Sequence, residues 1–265
     1  MNVAERIQTD HQRSVIENVE ALAKDQEMAR LSAEWTNQSV MRRYSYNFEW
    51  LGRPIIQYPQ DIVCLQELIW RIKPRVIVET GIAHGGSLIL SASVLGLLDL
   101  CDALANDVPL DLQAPSRQVI GVDIDIRPHN RTAIEAHPMF KYITMIEGSS
   151  IEPNIIQQIH DLARGDGPVL VCLDSNHTHE HVLAELWAYA PLVTPDSYCV
   201  VFDTAIEDLG GDAGNFPDRP WSRGNNPKTA VWEFLKSHSE FEIDRKIPQR
   251  LQITMAPDGF LRRIR

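Results

Sequence analysis

Short apolar runs alternate with stretches of helical period through the middle of the chain. Residues 75–79, 118–123, 142–146, 168–173 and 198–202 are rich in Val, Ile and Leu, with no strict apolar–polar alternation. That is the signature of strands buried on both faces. Between them, residues 85–104, 131–137, 151–163 and 179–189 carry apolar positions at helical spacing. Strands that alternate with helices predict a doubly wound, mostly parallel α/β sheet.

The two ends depart from this rhythm. Residues 1–40 hold apolar positions three and four apart (Ile7, Val15, Ile16, Val19, Leu22, Ala23), uninterrupted by Pro or Gly. They predict a helical arm whose weak apolar face packs against another body, such as a second subunit. Residues 44–61 are aromatic-rich and punctuated by Gly52, Pro54 and Pro59, which predicts an ordered loop followed by a helix from about Pro59 to Ile72. After a Gly/Asn/Pro-rich stretch at 209–227, a helix is expected at 228–238. Strands are expected at 241–246 and 251–255, then a turn at Pro257-Asp258-Gly259 and extended chain to 264. The expected division is an arm and loop at 1–60 and a nucleoside-binding α/β domain at 61–265.

Charge narrows the function. A formal net charge of −11 over 265 residues leaves no basic surplus to neutralise phosphates, which argues against nucleic acid and anionic membranes. Residues 88–105 are apolar enough to suggest a membrane span, but they carry Asp99 and Asp102 with a helical period, so a buried amphipathic helix is expected. The first residues form no apolar leader. Cys64, Cys101, Cys172 and Cys199 are scattered and read as free thiols, so a cytoplasmic setting is expected.

The candidate chemistry sits at strand ends, where open α/β sheets bind ligands. The first central strand ends in Glu79-Thr80-Gly81-Ile82-Ala83-His84-Gly85-Gly86-Ser87. Its glycines permit a sharp turn and a close backbone approach, and Ser87 is a candidate helix cap. A dinucleotide fingerprint asks for G-x-G-x-x-G and a phosphate at the helix end. Here the spacing is G-x-x-x-G-G behind an acid, which repels phosphate and suits the amino group of S-adenosylmethionine. A plain tight turn is the competing reading. Asp123, with Asp125 beside it, ends the second strand and suits ribose hydroxyls. Ser149 after the third is placed for an adenine edge or for a helix cap.

Asp174 and His177 follow the fourth strand and Asp203 the fifth. The two acids can converge on Mg²⁺, and His177 is the candidate general base. His177 and His181, four apart, also admit a zinc site, with a solvated helix start as the alternative for His179 and His181. Trp50, Tyr58 and Trp221 are candidate sugar-stacking platforms, although any one of them alone reads more readily as plain packing.

The chain resembles the family that groups the cephalosporin hydroxylase/7-methoxylation methyltransferase component with rhamnosyl O-methyltransferases. The resemblance lies in residues 47–61 (Asn-Phe-Glu-Trp-Leu-Gly-Arg-Pro-Ile-Ile-Gln-Tyr-Pro-Gln-Asp), 79–87, 121–125, 173–177 (Leu-Asp-Ser-Asn-His) and 225–231 (Asn-Asn-Pro-Lys-Thr-Ala-Val). It implies a Rossmann-like class I methyltransferase fold of seven strands, with an antiparallel C-terminal strand and an N-terminal helical extension. It implies S-adenosylmethionine, Mg²⁺, an acceptor hydroxyl on a sugar, glycoside or small natural product, and a homo-oligomer from dimer to hexamer, formed through the arm. Related macrolide-sugar methyltransferases use an Asp-x-x-His element that Asp174 and His177 match. The family's paired Glu-Asp after the fifth strand is broken, because Phe202 precedes Asp203; Glu207 and Asp208 are candidate substitutes. A hydroxylase component and a non-catalytic nucleoside-binding or assembly subunit stay open as alternatives.

Overall fold

The computed structural model describes residues 3–214 and 216–265; side chains of 3–8, 212 and 213, and therefore Ile7 of the arm, lie outside the described set, as does Asn215 of the 209–227 stretch. The centre is a seven-stranded sheet. In chain order its strands are β3 (Val76–Thr80), β4 (Gln118–Asp123), β5 (Ile143–Glu147), β6 (Val169–Leu173), β7 (Tyr198–Val201), β8 (Phe241–Ile243) and β9 (Phe260–Arg263). Across the sheet the order is β5-β4-β3-β6-β7-β9-β8. β3 to β7 run parallel, and β9 enters antiparallel against β7 and against β8. The chain reverses its direction of travel between β3 and β6, so the carboxyl ends of these two strands flank the switch-point crevice.

Burial on both faces explains the unbroken apolar strands. Every residue of β3 and of β6 is buried. Helices α3 (Pro59–Ile72) and α4 (Gly86–Asn106) cover one face; α6 (Pro153–Ala163), α7 (His179–Tyr189) and α8 (Pro227–Phe234) cover the other. α5 (Pro128–Glu135) follows β4. α4 is the one described helix long and apolar enough to cross a membrane. Its Leu88, Ile89, Leu90, Leu95 and Leu98 are buried in the core, whereas Leu97, Leu100 and Leu104 stay exposed, so packing takes up just over half of the apolar window.

The expected arm is two helices, α1 (Val3–Leu22) and α2 (Gln26–Met41). The break at 23–25 comes from Asp25, whose side chain accepts from Met28 N at 2.9 Å and caps α2. α1 rests on α9 (Lys246–Leu251), yet Val15 and Ile16 stay exposed. The expected loop at 44–58 contains a hairpin, β1 (Phe48–Trp50) and β2 (Arg53–Ile55), turning at Leu51 and Gly52.

One tail expectation fails. Residues 251–255 form no strand, and residues 246–251 are helix α9 instead. The backbone of this segment is spent elsewhere. Met255 N donates to the Asp61 carboxylate at 2.9 Å, and Met255 O accepts from Ala205 N. A segment whose backbone hydrogen bonds go to a buried side chain and to a neighbouring turn is not available to a sheet ladder.

Candidate active site

The carboxyl ends of β3, β6 and β7 open into a cavity of about 580 Å³. Its walls come from five places: the glycine loop after β3, the Asp174–His177 turn after β6, Phe202 and Asp203 after β7, the 43–61 stretch and the 206–221 stretch. The glycine loop reaches the β6 turn because Gly81 has no side chain. With φ at 89°, a Cβ there would fall 2.1 Å from the Asp174 carbonyl oxygen.

Each candidate residue of the donor side has a defined place. Glu79 is buried inside the sheet, and burial pushes its carboxyl up to about 7, although Ser87 and Ser91 hydrogen-bond it. Its Oε1 has no partner among the described residues. Ser87 therefore does not cap α4: Gly85, left-handed at φ 83°, holds the cap position, and no side chain bonds there. Asp123 turns its Oδ2 onto the loop, accepting from Ile82 N at 2.8 Å and Ala83 N at 3.2 Å, while Oδ1 accepts from Asp125 N. The Asp125 side chain is exposed. Ser149 is half-buried, and its carbonyl accepts from Glu152 N as the chain enters α6. His84 lines the cavity, whereas Asp123, Asp125 and Ser149 lie outside it.

The side of the cavity formed after β6 and β7 concentrates charge. Asp174, His177 and Asp203 each present a ligand atom, all within 4.8 Å of one another. His177 Nε2 lies 3.1 Å from Asp203 Oδ2. Burial, and then the charge of Asp203, push the Asp174 carboxyl well above its ordinary value. Asp61 lines the same cavity; burial raises it to about 6, against the donors Met255 N and Thr254 Oγ1. Among the described residues this is the one His/Cys/Asp/Glu group with metal-ligand geometry. Octahedral Mg²⁺ holds its oxygens about 3 to 4 Å apart, from ligand distances of about 2.1 Å. Crowded carboxylates with raised pKa values are what a cation would relieve. The donor set therefore fits a divalent ion.

Several expectations need correction. Glu207 and Asp208 do not replace the absent carboxylate. Glu207 Oε2 accepts from Gly224 N and Asn226 Nδ2, tying down the 222–226 turn, and Asp208 pairs with Lys228. Phe202 is itself buried in the cavity wall. The zinc alternative at His177 and His181 fails, because His181 turns to Ser150 at 3.0 Å and to Glu185. Nor are His179 and His181 a solvated helix start; His179 Nδ1 meets Thr229 Oγ1 at 2.8 Å. Trp50 lies outside the cavity and donates to Ser93 Oγ on α4 at 3.0 Å. Tyr58 lines the cavity, but it is buried under Trp35 and Tyr44 with its hydroxyl on Ser39. Trp221 stands open in the wall, edge-on to His177 with ring centroids 5.5 Å apart.

The sequence pattern did not reveal Asp61, Arg53, Asn130 or Glu185. Glu185 is fully buried on α7 and accepts from Ser150 Oγ at 2.6 Å and Ser175 Oγ at 2.7 Å, joining the loops after β5 and β6. Asp61 and Arg53 lie in the 47–61 segment, whose length was the available signal.

Residues 42–264 match the family described as Rhamnosyl O-methyltransferase/CmcI. The chain belongs to this family. By that membership it is an S-adenosylmethionine-dependent O-methyltransferase. The methyltransferase is 27% identical to a rhamnosyl O-methyltransferase of Mycobacterium leprae over 214 residues, which cover 80% of this chain and 81% of the relative. A rhamnosyl O-methyltransferase of Mycobacterium tuberculosis is 26% identical over 204 residues, 76% and 72% of the two chains. Among solved structures, an apo form of CmcI superposes with a TM-score of 0.53 at 18% identity, covering 83% of this chain and 77% of that one. A form of CmcI with Mg and SAM gives the same TM-score and covers 78% of that chain. These structural likenesses show the shared fold.

Proposed function

We propose that the methyltransferase methylates a hydroxyl of a sugar, glycoside or small natural product with the help of Mg²⁺. The observation that carries this is the convergence of Asp174, His177 and Asp203 in the cavity that the glycine loop also lines. Rhamnosyl O-methyltransferases among its relatives favour a deoxysugar hydroxyl.

S-adenosylmethionine, when bound, supplies an electrophilic methyl group. Mg²⁺, held by Asp174 and Asp203 beside His177, supplies the charge that lowers the pKa of an acceptor hydroxyl. The residues of the chain do the rest. Glu79 and the 81–86 loop seat the methionine end, and Asp123, Asp125 and Ser149 flank the nucleoside. Because this step needs little more than alignment and loss of one proton, placing the two reactants together supplies much of the acceleration. His177 takes the hydroxyl proton. Its Nε2 faces the Asp203 carboxylate, which orients the ring and stabilises the imidazolium once the proton has moved. Trp221 forms the stacking wall, and the 209–226 stretch covers the acceptor. We assign residues 1–60 to an arm that joins copies of the chain together with the loop that lines the acceptor cavity, and 61–265 to the methyltransferase domain.

The test is methyl transfer from S-adenosylmethionine to a panel of rhamnosides and other glycosides, with Mg²⁺ and after chelation. Transfer to at least one glycoside, lost on chelation and restored by Mg²⁺, is expected. Transfer that is indifferent to chelation removes the metal role. A panel left wholly unmethylated removes the glycoside acceptor.

A further inference from the structure

We infer that Arg53 is a positioning residue that sets the cofactor loop from the acceptor side of the cleft, an assignment that rests on S-adenosylmethionine binding at that loop. Arg53 Nε donates to the His84 carbonyl at 3.0 Å, and Nη2 donates to the same carbonyl and to Asn130 Oδ1 at 3.2 Å. Asn130, buried on α5, donates in turn from Nδ2 to the Ala83 carbonyl at 2.9 Å. The carbonyl edge of the loop is thus held by Arg53 and Asn130, while Asp123 holds its amide edge at Ile82 and Ala83. Ala83 sits between these grips at φ 47°, a left-handed conformation that Ala adopts only when its surroundings impose it.

The strand that carries Arg53 also touches the cofactor loop directly. A Cβ on Gly86 would fall 2.3 Å from the Pro54 carbonyl oxygen and 2.6 Å from Ile55 Cβ. The next residues, 54–58, line the acceptor cavity. Arg53 therefore supplies the side-chain tie, beside the packing of Gly86 on Pro54 and Ile55, that joins the acceptor wall to the donor loop. Its planar fork reaches a carbonyl and a side-chain amide together, which the single ammonium of Lys cannot reproduce.

Calorimetric titration with S-adenosylhomocysteine tests this on the full chain. Arg53→Ala should weaken binding by about tenfold or more, the range for losing a charge-assisted hydrogen bond. Arg53→Lys should fall between the two, and millimolar ethylguanidine should restore much of the lost affinity to Arg53→Ala, with melting temperatures recorded alongside. Wild-type affinity in Arg53→Ala overturns the assignment. A weakened variant that ethylguanidine cannot rescue, with a lowered melting temperature, also overturns it by reducing Arg53 to general packing. A wild-type chain that does not bind S-adenosylhomocysteine overturns the assignment together with the cofactor reading beneath it.

Discussion

The two sides of the cleft meet their polar groups on opposite terms. On the donor side, the backbone of the 81–85 loop is hydrogen-bonded in place: Gly81 N on Val122, Ile82 and Ala83 N on Asp123, the Ala83 and His84 carbonyls on Asn130 and Arg53. On the acceptor side, Asp61, Asp174 and Asp203 crowd one cavity with His177, and two of the three carboxyls are pushed up by burial. One side is a finished backbone cradle. The other is an electrostatic imbalance that a cation or a proton must correct. The difference teaches that rigidity and charge have been separated: under the proposed function the clamped loop would seat the donor, and the crowded carboxyls would lie where the proton moves.

The largest expected effect tests the reactive side. His177→Ala should cut turnover by about 10²-fold or more while S-adenosylhomocysteine binding stays at its wild-type value. Full turnover in that variant would leave the acceptor side without its base. Next, Asp203→Asn removes a charge from the cluster and should demand at least roughly tenfold more Mg²⁺ for half-maximal activity, the scale of disturbing a ligand set. An unchanged Mg²⁺ titration would confine Asp203 to orienting His177.

Glu79 sharpens the comparison from the donor side. Its carboxyl rises from 4.5 to about 7 on folding, so the folded chain holds this proton where the unfolded chain has released it. Stability from this group is therefore complete below pH 4.5 and is lost as pH rises to about 7. Glu79→Gln should then be more stable than wild type at pH 8, by up to about 3 kcal/mol, and no more stable at pH 4. Urea denaturation at the two pH values measures this; equal differences at both would mean that Glu79 is not strained by burial. The smallest effect belongs to Trp221→Ala, which should raise the acceptor KM several-fold at unchanged kcat, as loss of one aromatic contact does. A fall in kcat with KM constant would instead tie Trp221 to the His177 ring it touches.

Much of the fold could be read along the chain because burial on both faces leaves a local mark. The β3, β6 and β7 strands are dominated by buried apolar residues, and helix α3 begins at Pro59 where the residue types ask for it. Asp174, His177 and Asp203 were legible for a related reason. Each stands just past a strand, and the switch-point rule brings strand ends together without knowledge of side chains.

What stayed hidden depends on partners distant in sequence. Asp61 reads as a helix-start acid, yet it is a buried acceptor for Thr254, 193 positions away. The same carboxylate takes up Met255 N, so the alternating 251–255 segment is held at Asp61 and forms no strand. Arg53 reads as one loop residue among many until its guanidinium is found on His84, 31 positions on. Trp50 and Trp221 are indistinguishable as aromatic loop residues, and only packing sends one to Ser93 and the other into the cavity. Periodicity and strand-end placement thus determined the α/β sheet and singled out Asp174, His177 and Asp203 at its carboxyl edge, since those follow from short-range spacing. The division of the cleft into a clamped glycine loop and a charged Asp–His cluster was decided by tertiary contacts, because hydrogen bonds and charge crowding depend on distance in space.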